Sequence, residues 1–216
     1  MVQIVILWAL FLFMAVGINK IMLFWTYKLA EENQDVALSF VSCEKGINNA
    51  VLKIISTSVP VLAAGVAWWS SGFSAGYTFQ TYILAVFMMQ VVVSDMFWQL
   101  IFDKQLILFL IIGIIRLLLQ GYPIADHLEA SVIGGGLFLL LAVLTRGGFG
   151  GGDVKLLAVL GLWLGCEDLL STAVMGIILG GLAALFLLLT KRCHKRDMFP
   201  YGPYFALSAL IVSLFC

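Results

Sequence analysis

Apolar residues gather into eight runs, at 2–25, 54–70, 79–98, 105–120, 129–145, 154–167, 170–190 and 200–215, with mostly short breaks between them. A helix needs about 20 mostly apolar residues to cross the hydrocarbon core of a bilayer. Most of the runs meet that length; the sixth is short, and the fourth and eighth are barely long enough. Short spans beside Gly or Pro are tolerated where backbone lines a protein cavity instead of lipid. Hydrophobic residues make up 62% of the chain and charged residues 11%, against roughly 25% charged in soluble domains. Such a chain cannot cover a water-facing surface. The expectation is an all-α fold, a polytopic membrane bundle of about eight transmembrane helices embedded in the lipid bilayer.

Residues 1–216 read as one integral membrane domain, because a single connection, 27–53, is long and polar, and it is too small for a core of its own. The first run lacks a basic flank and a small-residue cleavage site, so it reads as a retained transmembrane helix. Twelve basic residues balance twelve acidic ones, which leaves no basic face for nucleic acid. The cysteines Cys43, Cys166, Cys193 and Cys216 form no CxxC pair, so neither a metal site nor a cofactor is expected. Gly134-Gly135-Gly136 and the Gly176/Gly180 pair have the spacing of close helix packing.

Basic residues orient the bundle. With eight spans and both termini outside, the connections after spans 1, 3, 5 and 7 face the cytoplasm. Eleven of the twelve basic residues then fall on that side: Lys20, Lys28, Lys45, Lys53, Lys104, Arg146, Lys155, Lys191, Arg192, Lys195 and Arg196. Arg116 falls on the other. His127 and His194 are expected to face solvent.

Two acids interrupt the apolar pattern. Asp95, in VVVSDMFWQL, sits at the cytoplasmic end of the third run, and Asp153 opens the sixth behind RGGFGGG. They are 58 positions apart (95 and 153), yet the topology sets them on one side at similar depth. An ionisable group in a span is costly and is a functional candidate by default. Two carboxylates close together do not both ionise cheaply. One keeps a proton while the other acts as base, and the pair activates a water. Asp153, at the positive end of a helix dipole, suits the base; Asp95, among Val, Met, Phe and Trp, suits the acid. Asp103 is the nearest other acid and reads as a bystander.

The glycines before Asp153 do not fit a nucleotide site. A P-loop requires Ser or Thr after its lysine, and Lys155 is followed by Leu156. A GxGxxG fingerprint finds no glycine in frame and no strand before it. What Gly150 and Gly152 offer is room for an extended peptide beside the carboxylate.

Gly150-Gly151-Gly152-Asp153 followed by Val-Lys-Leu-Leu resembles the GxGD motif of the type IV prepilin peptidases. The earlier Asp95, on a span ending in a short loop, resembles that family's first aspartate, and Phe199-Pro200-Tyr201-Gly202-Pro203-Tyr204 resembles the Pro-x-Gly-Pro start of its last helix. The resemblance covers most of the chain from the second span onward. It implies an intramembrane aspartyl endopeptidase of the bacterial inner membrane, with Asp95 and Asp153 catalytic at the cytoplasmic face. Its substrate would be a prepilin or pseudopilin with a short leader. Gly150, Gly152, Lys155, Pro200, Gly202 and Pro203 would support or bind that substrate, Lys155 by anchoring near the headgroups. Phe102 stands where the family usually has proline. Many members also carry two CxxC pairs in an insert after the first span, associated with N-methylation; this chain has only Cys43 there. A preflagellin-type peptidase of the same motif class, or a small proton- or cation-coupled transporter, are the alternative readings.

Overall fold

The computed structural model describes residues 2–33, 49–70, 74–145, 150–190 and 199–215. Cys43, Cys193, Cys216, the basic run 191–196 with His194, and residues 146–149 lie outside them. Among the described residues there are eight α-helices and no strand. They are α1 (Val2–Glu32), α2 (Asn49–Ser70), α3 (Ala75–Trp98), α4 (Asp103–Gln120), α5 (Ile124–Leu144), α6 (Gly151–Leu164), α7 (Cys166–Leu189) and α8 (Gly202–Phe215). Each of the eight apolar runs corresponds to one helix. By length and composition, Gly76–Trp98, Ile124–Leu144 and Cys166–Leu189 each suffice to cross a membrane. The chain is a multi-pass membrane protein.

The connection expected over 27–53 is narrower than its polarity suggested. Helix α1 continues through Tyr27–Lys28–Leu29–Ala30–Glu31 to Glu32, and α2 already begins at Asn49. Lys, Leu, Ala and Glu are strong helix formers, so the polar end of α1 stays helical after the hydropathy has dropped.

Helix α6 is the axis of the bundle. It packs against α4, α5, α7 and α8, and Leu156, Leu157, Leu160 and Trp163 are buried within it. Beyond its first turns the helix is enclosed on nearly every side, and such a helix is apolar all round, which accounts for its even hydrophobicity. Its tightest neighbour is α5: a Cβ at Gly161 would lie 2.6 Å from the Ala130 carbonyl, so the two backbones touch there. Gly134 and Gly135 meet Leu157 and Ala158 on the same seam, whereas Gly136 faces open space. Gly176 and Gly180 serve the α7–α8 seam, against Phe205 and Tyr201.

An aromatic ladder sets the helices that matter for the site. Phe87 of α3 stacks on Phe109 of α4 at 4.6 Å, and Phe109 stacks on Trp163 of α6 at 4.5 Å. Trp163 Nε1 also donates to the Phe109 carbonyl at 3.0 Å. Aromatic pairs in offset stacks add attraction beyond their buried area. The ladder links α3, α4 and α6 through these three rings in the core, and the three helices carry Asp95, Asp103 and Asp153.

Candidate active site

Asp95 lies in the last turn of α3 and is 6% exposed; Asp153 lies in the first turn of α6 and is 7% exposed. Both line one cavity of about 600 Å³. The end of α1 (Leu29, Asn33), the α3–α4 turn (Gln99 to Lys104) and the start of α6 (Gly150 to Gly152, Lys155) complete its wall.

Each carboxylate sits at a helix N-terminus. The Gly202 N–H donates to Asp95 Oδ2 at 2.9 Å. Gly202 opens α8, and the next residue, Pro203, has no N–H to offer, while the Tyr204 and Phe205 amides are bonded to the Tyr201 carbonyl. Asp95 thus accepts from the one nearby amide that the helix start leaves without a partner. Asp153 does the same on its own helix: the Gly150 N–H donates to Asp153 Oδ2 at 3.3 Å, the reach of an N3 carboxylate back to its N-cap. Neither Oδ1 takes a hydrogen bond among the described residues. The arrangement is two buried carboxylates, each steadied through one oxygen, facing one cavity.

The turn after α3 holds Asp95 in place. Gln99 closes the helix in the left-handed region, at φ 49° and ψ 37°, and its N–H bonds to the Asp95 carbonyl at 2.9 Å. Leu100 and Ile101 follow, and Phe102 becomes the N-cap of α4 at φ −76°. That φ is one a proline also adopts, so the backbone at Phe102 keeps the shape that the resemblance associates with proline. The Phe102 ring is buried against Leu29, Ala30 and Trp98, tying the turn to α1.

The glycines divide by position. A Cβ at Gly202 would lie 2.7 Å from Asp95 Oδ2, so only glycine lets the helix start close on the carboxylate. Gly152 has a packing role: a Cβ there would meet Ile101 Cβ at 3.1 Å. Around Gly151 the space is open. Pro200 is half-buried and precedes Gly202 in the same extended segment, with the Phe199 ring stacked on Tyr204 at 5.4 Å.

Lys155 reaches Asp103, at 2.7 Å to Oδ1 and 2.9 Å to Oδ2. Lys155, expected near the headgroups, is thus in an ion pair with Asp103, and Asp103, taken as a bystander, lines the cavity. His127 departs furthest from expectation: it is 4% exposed, and its Nδ1 lies 2.9 Å from the Leu162 carbonyl. A break between spans reads as solvent-facing in a sequence, but here α5 starts at Ile124 and carries His127 into the bundle. Sequence reasoning did not assign Leu29, Asn33, Gln99 or Lys104 to the site. The helix-forming run KLAEE was the signal for the first two. Among the described residues no three His, Cys, Asp or Glu side chains are grouped as metal ligands.

Residues 82–185, which hold Asp95, Gly150 to Gly152, Asp153 and Lys155, match the type IV leader peptidase family. A prepilin leader peptidase/N-methyltransferase of Bacillus subtilis is 32% identical over 154 residues, covering 68% of this chain and 60% of that protein. One from Neisseria gonorrhoeae is 31% identical over 154 residues, covering 68% of this chain and 52% of its own. One from Aeromonas salmonicida is 33% identical over 108 residues, with 47% and 37% covered. The chain therefore spans less than two thirds of the length of each of these relatives. No solved structure matches it.

Proposed function

Because the chain belongs to the type IV leader peptidase family, we propose that it is an intramembrane aspartyl endopeptidase acting on type IV prepilins or pseudopilins, with Asp95 and Asp153 as its catalytic pair. The observation that carries this reading is the placement of both carboxylates, almost fully buried, on one cavity with a backbone N–H on each.

The chemistry follows from two acids sharing one proton. The ionised carboxylate takes a proton from water as the water oxygen attacks the scissile carbonyl carbon. The protonated carboxyl gives its proton to the carbonyl oxygen, so a neutral tetrahedral diol forms. On collapse, a proton passes to the amide nitrogen, the C–N bond breaks, and a new carboxyl and a new amine leave. The pair again holds one proton. The Gly150 and Gly202 amides keep each carboxylate oriented through one oxygen and leave the other for water and substrate.

The whole of 1–216 acts as one peptidase domain in this reading, with both termini outside and the catalytic pair at the cytoplasmic face. Lys104 and Lys155, counted on the cytoplasmic side by the distribution of basic residues, line the same cavity as the two aspartates, which supports that orientation. An extended peptide would enter along the open side of Gly151, with Gly150, Gly202 and the Pro200–Pro203 segment offering backbone to it.

Purified protein in nanodiscs, incubated with a pilin-type precursor and followed by mass spectrometry, tests the reading. The expected product is the precursor shortened at the junction of leader and apolar segment. Intact precursor beside folded protein would count against it, and proton-coupled uptake into proteoliposomes would favour a transporter. With a methyl donor added, the new N-terminus is expected to stay unmethylated, since the loop after α1 carries only Cys43; an added methyl mass would overturn that part.

A further inference from the structure

Two ammonium groups line the cavity, and neither is bound to Asp95 or Asp153. Lys104 Nζ lies 2.5 Å from Glu32 Oε2, joining α4 to the end of α1. Lys155 Nζ lies 2.7 Å from Asp103 Oδ1, joining α6 to the start of α4. The side chains are 62% and 46% exposed in the first pair and 57% and 62% in the second. Ion pairs so exposed contribute little to stability. Their arrangement is nevertheless specific: each cation at the cavity has its own acid, and each of those acids lies outside the catalytic pair.

Each element around the cavity brings its own charges. Helix α1 brings Glu32, whose carboxyl is held below the usual carboxylate range by the hydrogen bond and charge of Lys104, with Lys28 contributing from farther off. Helix α3 brings Asp95, α4 brings Asp103 and Lys104, and α6 brings Asp153 and Lys155. Ahead of α8, Tyr201 lays its ring on Gly180 of α7, and α8 presents the Gly202 N–H. Asp126, His127 and Glu129 of α5 and Glu167 and Asp168 of α7 belong to the far end of the bundle. Lys104 and Lys155 are each matched by one acid, Glu32 and Asp103, and Lys28 and Glu31 at the end of α1 add one charge of each sign.

That neutrality matters to a shared proton. An unbalanced positive charge beside two carboxyls favours loss of the proton they hold between them, and the singly protonated state is the one that cleaves. We propose that Asp103 and Glu32 are positioning residues that hold the Lys155 and Lys104 ammonium groups in neutral pairs, away from Asp95 and Asp153. The inference rests on the aspartyl peptidase reading and adds to it a role for acids outside the catalytic pair.

The test compares single and double substitutions on nanodisc-embedded protein. Asp103→Asn leaves Lys155 without its counter-charge, and the pH–rate profile for precursor cleavage is expected to move toward acid by about one pH unit. At neutral pH the rate then falls by up to about tenfold. Asp103→Asn with Lys155→Gln is neutral again and is expected to bring the profile back to its wild-type position, whatever its absolute rate. Glu32→Gln, alone and with Lys104→Gln, repeats the comparison on the other pair. An infrared titration of the protonated carboxyl band that Asp95→Asn removes reads the same shift without turnover. If the pairs were only mechanical ties, single and double variants would lose thermal stability alike with profile and band unmoved. That result, or a double variant as displaced as the single, overturns the inference. A band shift in Asp103→Asn from protein that cleaves no precursor upholds the electrostatic role and removes the peptidase reading instead.

Discussion

The two ends of the bundle treat buried polar groups in opposite ways. At the Asp95–Asp153 end, each carboxylate takes one backbone N–H and faces a cavity. At the other end, about 20 Å along α4 at 1.5 Å per residue, polar groups are fastened to one another across helices. Arg116 Nη1 donates to the Trp163 carbonyl at 2.6 Å, and its guanidinium lies over the Tyr122 ring at 4.4 Å. Asp126 Oδ2 accepts the Cys166 N–H at 3.2 Å, and the Cys166 thiol donates to the Asp126 carbonyl at 3.4 Å. His127 lies against the Leu162 carbonyl. These contacts fasten α4 and α5 to the last turn of α6 and the start of α7 to α5. The first end leaves acid groups partly unpaired beside a space, the arrangement of a site that acts; the second uses most of its polar contacts in holding helix ends together and leaves Arg116 Nε buried without a partner. Residue type alone does not separate the two.

The largest expected effect breaks the comparison most directly. Asp95→Ala or Asp153→Ala should lower cleavage at least about 10³-fold, as expected when one member of a catalytic unit is lost. Thermal unfolding should stay where it was or rise, because active-site groups commonly trade stability for function. Appreciable turnover by Asp153→Ala would end the pairing, and turnover by Asp95→Ala would transfer the partner role to Asp103.

Gly202→Ala comes next. Its Cβ would stand 2.7 Å from Asp95 Oδ2, so either the start of α8 or the carboxylate must move. A displacement of about 1 Å at a reacting group costs on the order of 10²-fold in rate, and the same displacement at a helix start costs about 1–3 kcal/mol. Cleavage should therefore fall far more than stability does. Equal and small losses in both would return Gly202 to a packing role.

Arg116→Ala probes the fastened end and should invert that pattern. It removes the hydrogen bond to Trp163 and the cation–π contact with Tyr122, at a cost of about 1–3 kcal/mol. The rate constant for cleavage by the folded fraction should not change. A lowered kcat at unchanged stability would show that the far end communicates with the cavity.

How much of this contrast can be read in the sequence depends on the range of the signal. Helix number follows from hydropathy, a local property, and each of the eight runs coincides with a helix. Asp95, Asp153 and the Pro200–Pro203 segment stand out because charge, glycine and proline are rare inside apolar runs. The partners were not legible. That Gly202 closes on Asp95 requires knowing that α8 lies beside α3. That Lys155 turns to Asp103 requires the α4–α6 neighbourhood, which the Phe87–Phe109–Trp163 ladder sets. His127 looks solvated because it falls in a break between runs, and only tertiary packing reveals it and Arg116 as ties. Gly152 carries two meanings at once, a motif position and a contact with Ile101, and sequence shows only the first.

The smallest effect concerns Gln99, where the two kinds of region meet in one residue. Its φ of 49° puts a non-glycine side chain in the left-handed region, which costs roughly 1 kcal/mol relative to glycine. The same residue lines the cavity. Gln99→Gly keeps the N–H that binds the Asp95 carbonyl and relieves the backbone, so a gain of about 0.5–1 kcal/mol is expected from the helix C-terminal glycine effect. If Gln99 serves the turn alone, cleavage of a pilin-type precursor should keep both kcat and KM. If the side chain meets the substrate, KM should rise severalfold while the stability gain remains, since removing a contact that binds ground state and transition state alike leaves kcat in place. A fall in kcat with KM unchanged would mean instead that the strained turn is what aims Asp95. Thermal unfolding and steady-state kinetics on one preparation separate the three outcomes.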